Sequence, residues 1–172
     1  GLGNDFVIID NRKDKIKISK EIINKLSDRK IGAGCDQLIT INNSLSKNEE
    51  VSIEIFNPNG DKAEACGNGT RCVAKLIFEE TGKNSINIES DAGILNATKK
   101  DNDNISVNLG KLSKEWEKIP LSKKIDTLNI PIDINNFGNG VAVNIGNPHV
   151  VFFGKDIEKV NLYEIGPFIE NH

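Results

Sequence analysis

Residues 57–72 read N-P-N-G-D-K-A-E-A-C-G-N-G-T-R-C, which sets Cys66 directly before Gly67, Asn68 and Gly69. If a helix begins here, Cys66 lies at its first turn. Unpaired backbone N–H groups and the positive end of the helix dipole converge at that point and stabilise a thiolate over a thiol. The same N–H groups, kept approachable by two glycines, are suited to a carboxylate. One loop can thus bind an amino-acid head group and present a base to its α-carbon. The competing reading of Cys66 is a buried, inert thiol, the commonest fate of a free cysteine.

The other reactive side chains say less on their own. Cys72 lies within the apolar helix and Cys35 in a glycine-flanked loop, and both read as inert. A Cys66–Cys72 disulfide is out of reach, because six helical residues rise about 9 Å against a limit of about 7 Å between bridged Cα atoms. No metal is expected: C-x5-C with only His149 and His172 beside it matches no zinc finger or ribbon. C-G-N-G and G-A-G invite a phosphate, yet neither fits a nucleotide-loop pattern and a polar segment, not a strand, precedes Cys66. His149 is either the partner of Cys66 in a cysteine-hydrolase dyad or an ordinary loop residue after Asn-Pro. Asn4, Asn57 and Asn147 each adjoin a glycine or proline and read as turn residues until something links them.

The elements that must position these residues are legible in outline. From Gly67 or Asn68 to about Glu80 the pattern is helical, with Gly82 as terminator. Arg71, Lys75 and Glu79 form one narrow polar stripe, which predicts a central helix buried over most of its circumference and wrapped by sheet. Asp5 to Asp10 reads as a buried strand, Ser19 as the N-cap of a short helix carrying Ile22, Ile23 and Leu26, and Leu38 to Ile41 as another strand. Val51, Ile53 and Ile55 alternate with polar neighbours up to the Asn57–Gly60 turn. Ser85–Ser90, Gly93–Lys99 and Ile105–Leu109 suggest a meander around the helix. A domain boundary is expected near Lys111 to Pro120, against the alternative of a long loop within one domain. Val141–Ile145 and Val150–Phe153 read as strands interrupted by Gly146-Asn147-Pro148-His149, and a short helix is expected after Asn161.

Composition narrows the class. A chain of 172 residues with 37% hydrophobic and 27% charged side chains describes a soluble globular protein with a real core. A net charge of −3 with scattered lysines offers no basic stripe, so nucleic acid is not expected as a partner. No window approaches the roughly 20 apolar residues of a membrane span, and three cysteines without a secretory leader read as free thiols of a reducing, cytoplasmic compartment. The chain contains no Met and begins at Gly1, which raises the expectation of a missing start.

Four ordered motifs link the scattered candidates. G-L-G-N-D-F at Gly1–Phe6, G-x-G-C-D-Q at Gly32–Gln37, N-P-N-G-x5-C-G-N-G-T-R-C at Asn57–Cys72 and G-N-P-H at Gly146–His149 together resemble the diaminopimelate epimerase family over essentially the whole chain. Two loop positions depart from it: Asp61 stands where the family usually has Ser, and Asn59 where it has Asp. The resemblance implies cofactor-free interconversion of LL- and meso-diaminopimelate in lysine and peptidoglycan precursor biosynthesis. Two cysteines act on opposite faces of the substrate, one as thiolate base and one as thiol acid, because inversion removes a proton from one face and returns it to the other. Cys66 matches one of them. Gly67 and Asn68 match residues whose backbone binds the α-carboxylate; Asn4, Gln37, Asn57 and Asn147 match side chains that hold the substrate; His149 matches a histidine near the catalytic pair.

The implied fold is α+β, a mixed or antiparallel sheet curled around a central helix, the first of two similar domains. Residues 1–112 are then the N-terminal epimerase domain carrying Cys66, and residues 113–172 a linker and the incomplete start of the second. No cysteine follows Cys72, so the catalytic partner is missing and the chain reads as cut at both ends, inactive alone and a homodimer when full length. Two other readings stay open: another cofactor-independent amino-acid racemase of the same fold, acting for instance on histidine, and a non-catalytic amino-acid-binding domain.

Overall fold

The computed structural model describes residues 3–46, 48–132, 134 and 137–172; Gly1 and Leu2, which open the first motif, lie outside the described residues. The chain divides into two compact units, Gly1–Gly110 and Lys111–His172.

Strands of the first unit carry apolar residues on both faces, and each face has its own helix. The order is β1 (Phe6–Asp10), α1 (Lys20–Ser27), β2 (Gln37–Asn42), β3 (Val51–Phe56), β4 (Lys62–Ala63), α2 (Gly67–Thr81), β5 (Ser85–Ser90), β6 (Gly93–Lys99) and β7 (Ile105–Asn108). The sheet runs β1-β2-β3-β5-β6-β7, with β4 paired to β3. It is mixed, since β1 pairs β2 and β3 pairs β5 in parallel while the other neighbours are antiparallel. Ile39, Ile41, Val51, Ile53, Ile55, Ile86, Ile88 and Leu95 pack on one side with Val73, Ala74, Ile77 and Phe78 of α2. Leu38, Phe56, Val7 and Ile9 pack on the other with Ile23 and Leu26 of α1. Successive side chains of β1 and β2 thus enter different cores, as the two-residue period of a strand requires.

Local signals set the ends of both helices. Ser19 Oγ accepts the Ile22 N–H at the start of α1. Gly82 ends α2 at φ 70°, a left-handed conformation that costs a glycine little. Two expectations need correction. The solvent face of α2 is wider than one stripe, because Cys72 and Leu76 are exposed together with Lys75, Glu79 and Glu80. Sheet covers the Val73–Ala74–Ile77–Phe78 side, so α2 is half-buried in its own unit and Cys72 is not a core thiol. Nor is β1 fully buried. It is the sheet's edge strand, and Phe6 to Ile9 are each intermediate in exposure.

In the second unit β8 (Val141–Asn144) and β9 (Pro148–Val151) form an antiparallel hairpin, followed by α3 (Leu162–Glu170). Pro148 and His149 are strand residues, and the connection shrinks to Ile145-Gly146-Asn147, with Gly146 at φ 103° making the turn. Ile119, Ile130, Ile132, Ile134 and Ala142 form the core, with Phe137, Phe152, Ile165 and Ile169 against it. The segment read as a boundary is built into this unit: Ser113 bridges Asn144, and the Lys114 carbonyl accepts the Thr127 hydroxyl at 2.9 Å. No helix among the described residues is long and apolar enough to cross a membrane.

Candidate active site

Parallel pairing of β1 with β2 and antiparallel pairing of β2 with β3 bring the start of β1, the start of β2 and the end of β3 to one end of the sheet. The N-terminus of α2 opens at the same end, since a Cβ on Gly69 would stand 2.5 Å from Ile39 Cδ1 of β2 and 3.4 Å from the Phe6 ring of β1. Asn4, Gln37, Asn57, Cys66, Gly67 and Asn68 are therefore collected from three strand ends and one helix start.

Cys66 is the N-cap of α2. Its backbone is extended at φ −146° and ψ 97°, and its Sγ accepts the Gly69 N–H at 3.4 Å. The Cys66 carbonyl accepts both the N–H and the hydroxyl of Thr70 at 2.9 Å, and Thr70 is fully buried, which locks the first turn. Both glycines have steric reasons. Gly69 lies flush on Ile39, and a Cβ on Gly67 would meet Leu109 Cδ1 at 3.2 Å and Arg71 Nη1 at 3.9 Å. The helix start is thus held close to the sheet while its amide edge stays uncrowded.

Around this turn the amides are paired. Asn68 Nδ2 donates to Asn4 Oδ1 at 2.8 Å, and Gln37 Nε2 donates to Asn57 Oδ1 at 3.1 Å. The Asn57–Gly60 turn closes with the Gly60 N–H on the Asn57 carbonyl at 2.9 Å and Gly60 at φ 82°. The two family departures serve this loop: Asn59 Oδ1 accepts the Asp61 N–H at 3.0 Å, and the Asp61 carboxylate pairs with Lys20 Nζ at 2.7 Å.

Four charged residues that the sequence did not single out for the site support it. Asn4 Nδ2 donates to Asp36 Oδ2 at 2.9 Å, Arg29 Nη2 to Asp36 Oδ1 at 2.8 Å, and Arg71 Nη2 to Asn68 Oδ1. Arg29 also forks onto both oxygens of Asp5 at 2.8 Å. That bidentate guanidinium holds the Asp5 carboxyl down at about 2. The Asn4 amide is the leading cause holding Asp36 below the ordinary carboxylate range. Asp5, Asp36 and Arg71 lie inside the four motifs, whereas nothing in the sequence marks Arg29.

Asn147 and His149 lie together in the second unit. His149 is exposed on β9, and its Nδ1 stands 3.0 Å from the Asn147 carbonyl. A carbonyl only accepts, so this contact is a hydrogen bond when Nδ1 carries the proton.

The family model described as diaminopimelate epimerase matches residues 1–115. A diaminopimelate epimerase of Pelagibacter ubique is 45% identical over 100% of this chain and 64% of its own length. Another, from Sphingopyxis alaskensis, is 44% identical over 99% of this chain and 60% of its own. The chain spans roughly three fifths of the length of these curated relatives. Among solved structures, one titled a predicted epimerase from Pseudomonas aeruginosa superposes with a TM-score of 0.59 at 12% identity, covering 98% of this chain and 62% of that one, and shares the fold. With its motifs, its mixed sheet around α2 and these matches, the chain belongs to the diaminopimelate epimerase family.

Proposed function

We propose that the first unit supplies one half of a two-thiol acid/base site for cofactor-independent epimerisation of diaminopimelate, with Cys66 as its catalytic group. The supporting observation is the position of the thiol: Cys66 caps α2, with its Sγ accepting the Gly69 N–H at 3.4 Å. A helix N-terminus favours an adjacent anion by about 0.3–1 kcal/mol at an exposed site, and here it serves both the thiolate and the substrate α-carboxylate. The thiolate removes the α-proton from one face; a second thiol donates a proton to the other face, so the substrate regains its charge state with inverted configuration. Backbone N–H groups at Gly67 and Asn68 offset the charge that develops on the carboxylate as the carbanion forms. Asn4, Gln37 and Asn57 hold the substrate from the strand ends.

The second thiol is not one of the two remaining cysteines. Cys35 is 2% exposed with its Sγ on Ser27, and Cys72 points to solvent from farther along α2. The complete enzyme works as a cytoplasmic homodimer in lysine biosynthesis.

Competitive alkylation tests this reading. Treated with iodoacetamide near neutral pH, Cys66 is expected to react faster than Cys72, although Cys72 is the more exposed, and diaminopimelate is expected to slow Cys66 alone. A Cys66 that reacts as sluggishly as Cys72, with no protection, would overturn the catalytic assignment and leave a non-catalytic scaffold domain.

A further inference from the structure

The hydrogen bonds beside Cys66 run in one direction. A guanidinium only donates and a carboxylate only accepts. Arg71 Nη2 donates to Asn68 Oδ1, Asn68 Nδ2 to Asn4 Oδ1 at 2.8 Å, and Asn4 Nδ2 to Asp36 Oδ2 at 2.9 Å. With a pure donor at one end and a pure acceptor at the other, each amide between them has one consistent orientation. Arg29 anchors the acceptor end, with Nη2 2.8 Å from Asp36 Oδ1. Its own place depends on Gly34, at φ 75°, where a Cβ would come within 3.0 Å of Arg29 Cα and Cγ.

We infer that Arg71 and the Arg29–Asp36 ion pair are positioning residues that fix which atom of Asn68 and Asn4 donates and which accepts toward the bound amino acid. This rests on the proposed function, in which Asn4 and Asn68 hold the substrate. An amide that rotates by half a turn offers an oxygen to a carboxylate in place of an N–H and repels it. Holding both amides before the ligand arrives removes that orientation and its ordering cost from the binding step. Arg29 is 56% exposed in its pairs with Asp5 and Asp36, and exposed ion pairs contribute little to stability. The residues thus affect binding more than folding.

The sign of one substitution separates positioning from bulk charge. Asp36→Ala removes a negative charge, which on electrostatics alone favours the carboxylate that the amides face; loss of positioning weakens its binding. In the 172-residue chain, with binding read as diaminopimelate protection of Cys66 from iodoacetamide, Asp36→Ala is expected to raise the half-protecting concentration about tenfold, within the range of coupled neighbours. Arg71→Ala is expected to do the same, and Arg71→Lys, also a pure donor, to restore most of the loss. In an Asn4→Ala background Asp36→Ala is expected to add nothing. The side-chain amide ¹⁵NH₂ resonances of Asn4 and Asn68 should be distinct and slowly exchanging in the parent chain and move to ordinary exposed positions in Asp36→Ala. Tighter or unchanged protection in Asp36→Ala, or unchanged amide resonances, overturns the inference. A parent chain that diaminopimelate does not protect overturns the proposed function instead, and the amide resonances still decide the positioning role.

Discussion

Cys66 and Gly69 form the cap of α2 through sulfur, the thiol accepting the glycine N–H at 3.4 Å. Cysteine is an unusual choice there, since hydroxyl, carboxylate and amide side chains are the preferred caps and accept at shorter distance. A sulfur cap is the weaker cap, which fits the catalytic role proposed for Cys66. Cys66→Ser is expected to be as stable as the parent or up to about 1 kcal/mol more stable, because serine caps well. The same variant should lose the fast alkylation. Urea denaturation beside iodoacetamide labelling reads both, and a marked drop in stability would show that the sulfur is needed for packing.

The contact between Gly69 and Ile39 fixes how closely α2 approaches the sheet. A Cβ at Gly69 would lie 2.5 Å from Ile39 Cδ1, and Ile39 is fully buried and cannot swing away. Gly69→Ala is expected to destabilise the chain by about 1–3 kcal/mol, the usual range for overpacking. Ile39→Val removes the clashing methyl, so the double variant should recover part of that loss. An additive double variant in urea titration would place the strain elsewhere.

The corrected face of α2 predicts opposite outcomes for adjacent residues. Ile77 is fully buried and Leu76 is 44% exposed. Ile77→Ala should cost about 2–5 kcal/mol, whereas Leu76→Ala should cost well under half of that. Equal losses in chemical denaturation would mean that Leu76 is covered in solution.

Acid stability should depend on the Arg29–Asp5 pair. The Asp5 carboxyl is depressed to about 2 in the folded chain from an ordinary 3.8. A depressed carboxyl contributes stability that is complete above its unfolded value and is lost as pH falls through the folded one. The parent should therefore weaken between about pH 4 and pH 2, by a small amount because the pair is exposed. Arg29→Gln should flatten that limb by removing this small contribution at neutral pH, leaving stability near pH 2 nearly unchanged. Urea midpoints across the acid range check it, and an identical slope in the variant would remove Arg29 as the cause.

With one thiol at the site, the chain alone should not invert the substrate. Incubated in D₂O with LL-diaminopimelate, it is expected to form no meso isomer at an enzymatic rate. Chiral chromatography and mass spectrometry give the answer, and ordinary turnover by these 172 residues would sink the two-thiol mechanism.

Much of the first unit could be read residue by residue because its signals are local. Ser19 and Gly82 end helices through groups within four residues of them, and the alternation of Val51, Ile53 and Ile55 reports a strand face directly. The motifs likewise identified Cys66 and the amides around it. Helix α2 departs from its expected burial because residue type alone does not say what covers a helix: Cys72 and Leu76 are apolar enough for a core, yet the sheet lies on the other side.

The amino-acid order by itself determined the elements, the cap position of Cys66 and the family, all matters of short-range pattern or of motif order. Only the tertiary structure decided that Asn4 meets Asn68 across 64 residues and that Gln37 meets Asn57 across 20. It also decided that Arg29, unmarked in the sequence, anchors Asp36 and Asp5. The physical reason is that these partners are set by strand order and register. One parallel and one antiparallel pairing bring three strand ends and a helix start together, and no local propensity encodes that meeting.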